Sequence, residues 1–232
     1  MALSSGSLAG YRTKTDLVYD VLRREILAGR YRPGSRIVVD QVASQLGVSK
    51  LPVRGAVDRL VGEGWLQARP HVGAIVPELS PEEVLETSII RAIVEGAAVR
   101  IAATHARPEI VERLREVTDR MDAAGATDDP EYPELNYQFH ALTFRACTYP
   151  ALRSMAMDLL GKTCRLRTVR FLPSYLPRSQ QEHRSLIDAI ARQDGDRAEQ
   201  IVRQHVEHAG RLLWQYAVEL TQSEAEGQRK AR

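Results

Sequence analysis

Residues 46–60 read LGVSKLPVRGAVDRL. Val53, Ala56, Val57, Leu60 and, just beyond, Val61 recur at i, i+3, i+4, i+7 and i+8, the spacing of one apolar helix face. Ser49 suits the N-cap, because its hydroxyl can accept from a free backbone N–H. Pro52 is tolerated because first-turn N–H groups have no intrahelical partner. Lys50, Arg54 and Asp58 follow one another four apart on a different face, and packing alone calls for no cations there.

Residues 14–29, upstream, place Leu17, Val18, Val21, Leu22, Ile26 and Leu27 at helical spacing, with Gly29 as a stop. YRPGSR (31–36) reads as a turn. VDQVASQL (39–46) predicts a short helix burying Val42, Ala43 and Leu46, which Gly47 ends. Two short helices meeting at Gly47 after a four-turn helix have the layout of a helix-turn-helix, whose second helix enters the major groove N-terminus first. In that setting Arg54 reaches a guanine edge or a phosphate and Lys50 a phosphate; the plain alternative is a solvated charged face. EGWLQARPHVGAIVPEL (63–79) then predicts two short strands, Trp65-Leu66 and Gly73–Val76, around an Arg69-Pro70-His71 turn. A hairpin in that place is a wing, with Arg69 and His71 at the tip beside the DNA backbone or minor groove.

Composition sets the outer bounds. The 232 residues suffice for one large domain or two modest ones, and 44% hydrophobic with 27% charged residues is ordinary for a soluble globular chain. No apolar run approaches the roughly 20 residues that span a bilayer, so no membrane association is expected. MALSSGSLAGYRTK (1–14) lacks the pattern of a secretory signal. Cys147 and Cys164 have no paired spacing, which fits a reducing compartment, and a cytoplasmic location is expected. The net charge is only +2, yet residues 1–80 hold 11 Lys/Arg against 7 Asp/Glu. That excess is a mild pointer to nucleic acid.

Ser80-Pro81-Glu82-Glu83 is a helix start with N-cap, proline at N1 and acids in the first turn, placing a domain boundary near residue 79. Helices are expected near 81–105, 108–124, 131–147, 150–171, 177–193 and 196–222, with Asp196 capping the last and Glu199 three residues on. The expected fold is mainly α: an N-terminal winged helix-turn-helix (13–79) with a small β-hairpin wing, then a C-terminal antiparallel all-α helical bundle (80–222). Residues 1–12 and 223–232 read as loose termini. Inside the bundle, Asn136 and His140 lie four apart on one helix face, and His183 and His205 lie on two later helices. Three imidazoles and an oxygen ligand can converge on a divalent metal. His208 could replace His205, and surface or core-satisfied histidines are the plainer outcome. His105 reads as a helix C-cap.

PGSRI…VASQLGVSKLPVRGAVDRLVGEGWL…G, over roughly residues 13–78, resembles the winged helix-turn-helix of GntR-family transcription regulators. The resemblance implies DNA contacts at Arg36, Lys50, Arg54 and the wing around His71 and Gly73, with Ser49, Leu51 and Arg69 beside them. This chain has Lys50-Leu51 where the family usually has Arg-Thr, and Gly55 where it has Glu. Lys lacks the bidentate fork of Arg, while Leu51 could contact a thymine methyl. Residues 84–210 resemble the FadR-type, or FCD, effector domain through IIRAIVEGAAVRIAA, NYQFHALTFRA, QEHRSLIDAI and DGDRAEQIVRQHV. The resemblance implies a divalent metal, zinc or nickel, on Asn136, His140, His183 and His205, with Asn136 standing where the family more often has Asp. It also implies that Arg91 supplies a guanidinium to the effector, the alternative being an i,i+4 ion pair with Glu95; Arg165, Arg167 and Arg170 are further possible partners. Four neutral ligands would leave the metal's charge uncompensated, favouring a small carboxylate effector.

The function expected is therefore a ligand-responsive transcription regulator, a repressor that binds a palindromic double-stranded operator as a homodimer. Two alternatives stand beside it. One is a metal-dependent enzyme using the histidine cluster, although no Glu or Asp is recognisably placed beside the histidines as a general base. The other is a DNA-binding protein whose bundle only dimerises.

Overall fold

The computed structural model of the chain describes residues 13–78, 80–126, 131–164 and 176–230. Those residues form nine helices and one two-stranded antiparallel sheet, and the chain divides into two compact units, the first holding the chain up to Glu78 together with Cys164. Among the described residues, no helix is long and apolar enough to cross a membrane.

In the first unit, α1 (Lys14–Leu27), α2 (Val39–Leu46) and α3 (Lys50–Gly62) precede β1 (Gln67–Arg69) and β2 (Gly73–Ile75). Thr13 Oγ1 accepts from the Asp16 N–H at 3.1 Å and starts α1. Leu17, Val18, Val21, Leu22, Ile26 and Leu27 are all buried, and they meet Val53, Ala56, Val57 and Leu60 of α3 in the core. Each of the Val, Leu and Ile side chains among them contributes about 1.5–3 kcal/mol of burial. Gly55 brings α3 close to α1, since a Cβ there would lie 3.3 Å from Thr15 Cγ2. At the other end of that contact the Tyr19 hydroxyl donates to Glu63, and the Arg59 guanidinium sits 3.8 Å over the Tyr19 ring. Burial first, then the hydrogen bond to Glu63, pushes the Tyr19 phenol well above its ordinary value. Gly47 closes α2 at φ 64, the left-handed conformation that a residue without Cβ adopts freely.

Four local expectations need correction, the first being Leu46, which is half-buried while Val42 and Ala43 alone are buried on α2. Ser49 stands at the N-cap of α3, but its side chain makes no capping hydrogen bond. The first strand begins at Gln67 rather than Trp65, because Trp65 and Leu66 are both buried in the core ahead of the hairpin. The 31–36 segment is more than a turn: Arg36 bridges Ile75, the Ile37 N–H donates to Ala74 O, and the Val76 N–H donates to Ser35 O. The wing thus has a short third edge.

The second unit contains α4 (Pro81–Thr104), α5 (Pro108–Ala126), α6 (Tyr132–Phe144), α7 (Pro150–Cys164), α8 (Leu176–Ala191) and α9 (Gly195–Lys230). Ser80 and Glu83 form a capping box at the start of α4, each accepting from the other's backbone N–H. His105 C-caps the same helix and its Nδ1 lies 2.9 Å from Ile101 O. α4 and α9 pack antiparallel along their length. Gly210 lies against Ser88, where an added Cβ would come within 2.4 Å of Ser88 Cβ; Gly96 lies beneath Glu199 and Arg203, and Gly195 against Arg100. This register sets His205 level with the α4 stretch that holds Arg91 and Glu95. The cap of α9 is Asp194, not Asp196: Asp194 Oδ1 accepts from the Arg197 N–H at 3.0 Å. α9 continues to Lys230, eight residues past the expected end. Arg165, Arg167 and Arg170 lie outside the described residues.

Candidate DNA-binding surface and buried histidine site

The expected DNA contacts are distributed over α3 and the wing. Arg36, Ser49, Lys50, Leu51, Arg54, Arg69, His71 and Gly73 are all exposed. Leu51, with 79% of its surface open, is the most exposed large apolar side chain described. Arg36, Arg54 and Gly73 line one shallow cleft of about 350 Å³ between α3 and the wing. Arg36 lies against Gly73, whose φ of 101° is a conformation that favours glycine. Arg69 pairs with Gly73 across the hairpin. The turn between them is closed by the Val72 N–H donating to Arg69 O at 3.1 Å, with Pro70 second and His71 third at φ 62. That is the geometry of a type II turn, whose third position favours glycine. An imidazole there holds backbone strain at the hairpin tip. Lys50 is engaged with Asp40 of α2 at 2.9 Å, both side chains mostly exposed, and such a pair is worth about 0–1 kcal/mol. Nothing in the sequence spacing singled out Asp40.

In the second unit, α6 contributes Asn136 and His140, α8 His183 and α9 His205. All four are 3% exposed or less. The candidate ligand atoms of the three histidines lie within 4.8 Å of one another, and the ring centroids are 4.8–5.3 Å apart. Tetrahedral coordination at about 2.1 Å per nitrogen brings ligand atoms roughly 3.4 Å apart, so small side-chain rotations close the set. His208 is not part of this cluster; burial first, then Arg178, pushes its imidazole below the ordinary value. Phe139, fully buried, packs on both His140 and His183 and makes a dry wall. Asn136 Nδ2 is buried without a hydrogen-bond partner among the described residues. That leaves its amide free to turn its oxygen toward the cluster. The donor set of three imidazoles and an amide therefore fits a borderline divalent ion such as zinc or nickel.

An acid does stand beside the histidines, contrary to expectation. Glu182 Oε2 is 2.8 Å from His205 Nδ1, and Oε1 accepts from Arg178 Nε at 2.8 Å. Burial opposes its charge, but the hydrogen bonds from His205 and then Arg178 prevail and hold the carboxyl down at about 2. Both oxygens of the carboxylate are thus engaged within the protein. The Arg178–Glu182 pair was readable as an i,i+4 spacing; its contact with His205, 23 positions away, was not. Arg91 is 2% exposed and grips Glu95, itself fully buried, through two guanidinium nitrogens. The ion-pair alternative thus describes its observed contact.

Comparison with known proteins agrees with this division. Residues 14–76 match the model of bacterial regulatory proteins of the gntR family, and residues 86–208 match the FCD domain. The chain is 29% identical over 197 residues to the "Probable D-xylose utilization operon transcriptional repressor" of Paenarthrobacter nicotinovorans, covering 84% of this chain and 86% of that protein. It is 27% identical over 195 residues to the "HTH-type transcriptional repressor RspR" of Escherichia coli (strain K12), covering 82% and 84%. Among solved structures, E. coli McbR/YncC superposes with a TM-score of 0.78 at 24% identity, over 89% of this chain and 99% of that one, which speaks for the fold. The matched family is one of regulatory proteins and the two curated relatives are named as transcriptional repressors, and the enzymatic alternative falls with that.

Proposed function

The chain belongs to the GntR family of bacterial regulatory proteins, in the branch that carries an FCD domain, and on that premise we propose that this DNA-binding transcriptional regulator is a repressor whose bundle senses a small carboxylate through a bound divalent metal, zinc or nickel. The observation that carries the sensing half is the convergence of His140, His183 and His205, from three helices, in one buried cluster. A metal held by these and Asn136 would retain most of its charge, and an anionic ligand would complete its coordination. Arg91 is the second anchor in this reading: level with His205, it can share its guanidinium between Glu95 and an incoming carboxylate.

On the DNA side, Arg54 and Leu51 read base edges, Ser49, Lys50 and Arg36 hold phosphates, and the strained tip with Arg69 and His71 meets the backbone or minor groove. The free hydroxyl of Ser49, unused by its own helix, supports that assignment. A homodimer on a two-fold symmetric operator is the matching assembly. It is supported by the apolar stripe of α4, where Leu85, Ile89 and Ile93 at i, i+4 and i+8, together with Ile90, are 41–53% exposed. A DNA regulator of this kind works in the cytoplasm.

A thermal-shift screen of the full chain against small mono- and dicarboxylates, with and without a strong chelator, tests the reading. A ligand at about a hundred times its dissociation constant adds roughly 2.7 kcal/mol. A stabilisation that the chelator abolishes is the expected result. One that the chelator leaves intact would move the site to Arg91 alone, and no stabilisation at all would overturn the sensor.

A further inference from the structure

Glu182 stands one turn after Arg178 and one residue before His183 on α8, and reaches across to His205 on α9. Its two oxygens are separately held, Oε2 at His205 Nδ1 and Oε1 at Arg178 Nε. The side chain is 17% exposed, at the edge of an open cleft of about 330 Å³ lined also by Gln181, Ser185, Arg197 and Gln204. The carboxylate therefore keeps contact with water, while its hydrogen bond points inward to a buried histidine. A neutral imidazole that donates from Nδ1 to a carboxylate carries its lone pair on Nε2, and its basicity rises. Asn136, meanwhile, brings no charge to the cluster.

Resting on the metal reading above, we propose that Glu182 is the positioning residue of the metal site: it fixes His205 as an Nε2 ligand and supplies, one bond network outward, the negative charge that Asn136 does not bring. Charge near the ion is placed outside the coordination shell instead of within it, and the bound metal keeps a stronger pull on an anion at its open position. Glu182 and Asn136 are then energetically coupled although they sit on different helices.

The test is a double-mutant cycle on the full chain, read as the Zn²⁺ dissociation constant by competition with a chromophoric chelator. Glu182→Gln is expected to weaken Zn²⁺ binding by about 10–100-fold. Asn136→Asp is expected to strengthen it, and by a larger factor in the Glu182→Gln background than in the wild type. Unchanged affinity in Glu182→Gln overturns the proposal. An equal gain from Asn136→Asp in both backgrounds overturns the charge-supplying role, since a purely steric part for Glu182 leaves the two sites independent. A second measurement needs no variant: nitrogen NMR of the metal-free wild-type chain should show His205 protonated on Nδ1 and bare on Nε2, and the reverse tautomer overturns the orientation. A wild-type chain that binds no Zn²⁺ brings down the metal reading itself, and the proposal with it.

Discussion

The side chains assigned to DNA are all exposed, whereas the four assigned to the metal are at most 3% exposed. The difference is one of cost. An exposed Arg54 or Leu51 can change without touching the packing of Val53, Ala56 and Leu60 on the other face of α3. A buried imidazole or amide pays for its desolvation, about 1–3 kcal/mol where its hydrogen bonding is incomplete. Among the four, the Asn136 amide nitrogen is the one that carries such a cost, being buried without a partner among the described residues. An exposed side chain on α3 can therefore change at little cost to the fold, while a change inside the buried cluster disturbs its packing.

That contrast can be broken most directly at His140. His140→Ala is expected to weaken Zn²⁺ binding by more than the roughly hundredfold upper range for outer-shell changes, while the metal-free protein binds operator as before. Loss of operator binding in the metal-free variant would show that the two regions are not separable. On the other side, Arg54→Ala should cost about 1–3 kcal/mol of operator affinity at fixed salt, measured by fluorescence anisotropy, with an unchanged melting curve. Unchanged affinity would remove α3 from the groove. Gly210→Ala probes the packing that frames the buried site: with Ser88 Cβ only 2.4 Å from the new methyl group, it should destabilise the bundle by about 1–3 kcal/mol in urea. The smallest effect is expected at the wing tip. His71→Gly relieves the φ of 62° and should leave stability unchanged or raise it by less than about 1 kcal/mol, while weakening DNA binding. A loss of stability there would mean that the imidazole serves the fold.

The two regions also differed in how far they could be read from the chain. The first unit is built from neighbours: the apolar faces of α1 and α3, the break at Gly47 and the turn at Pro70 are local patterns, and each lies where it was expected. Its misreadings were local as well. Trp65 and Leu66 looked like strand because they are apolar, but they fill the core before the ladder begins. Residues 34–37 were too short a run to declare themselves as a sheet edge. In the bundle, spacing put Asn136 and His140 on one face of a single helix. Nothing local says that His205 rather than His208 turns inward, or that Glu182 meets it. Those facts come from the register of α8 against α9. The capping serine illustrates the same limit at small scale: Ser49 and Ser80 occupy equivalent positions, yet only Ser80 uses its hydroxyl.

The ion pair between Lys50 and Asp40 has a thermodynamic consequence. If Lys50 meets a phosphate as proposed, it does so with a counter-ion already built into the protein, and docking on DNA would exchange one anion for another instead of adding a new attraction. Asp40, once abandoned, repels the arriving phosphate, and the exchange succeeds only where the backbone lies close enough to Lys50 to outbid it. A loosely held, sliding encounter gains little from this cation, while a correctly seated one gains more. Removing Asp40 would then strengthen binding to random DNA and narrow the margin by which the operator is preferred.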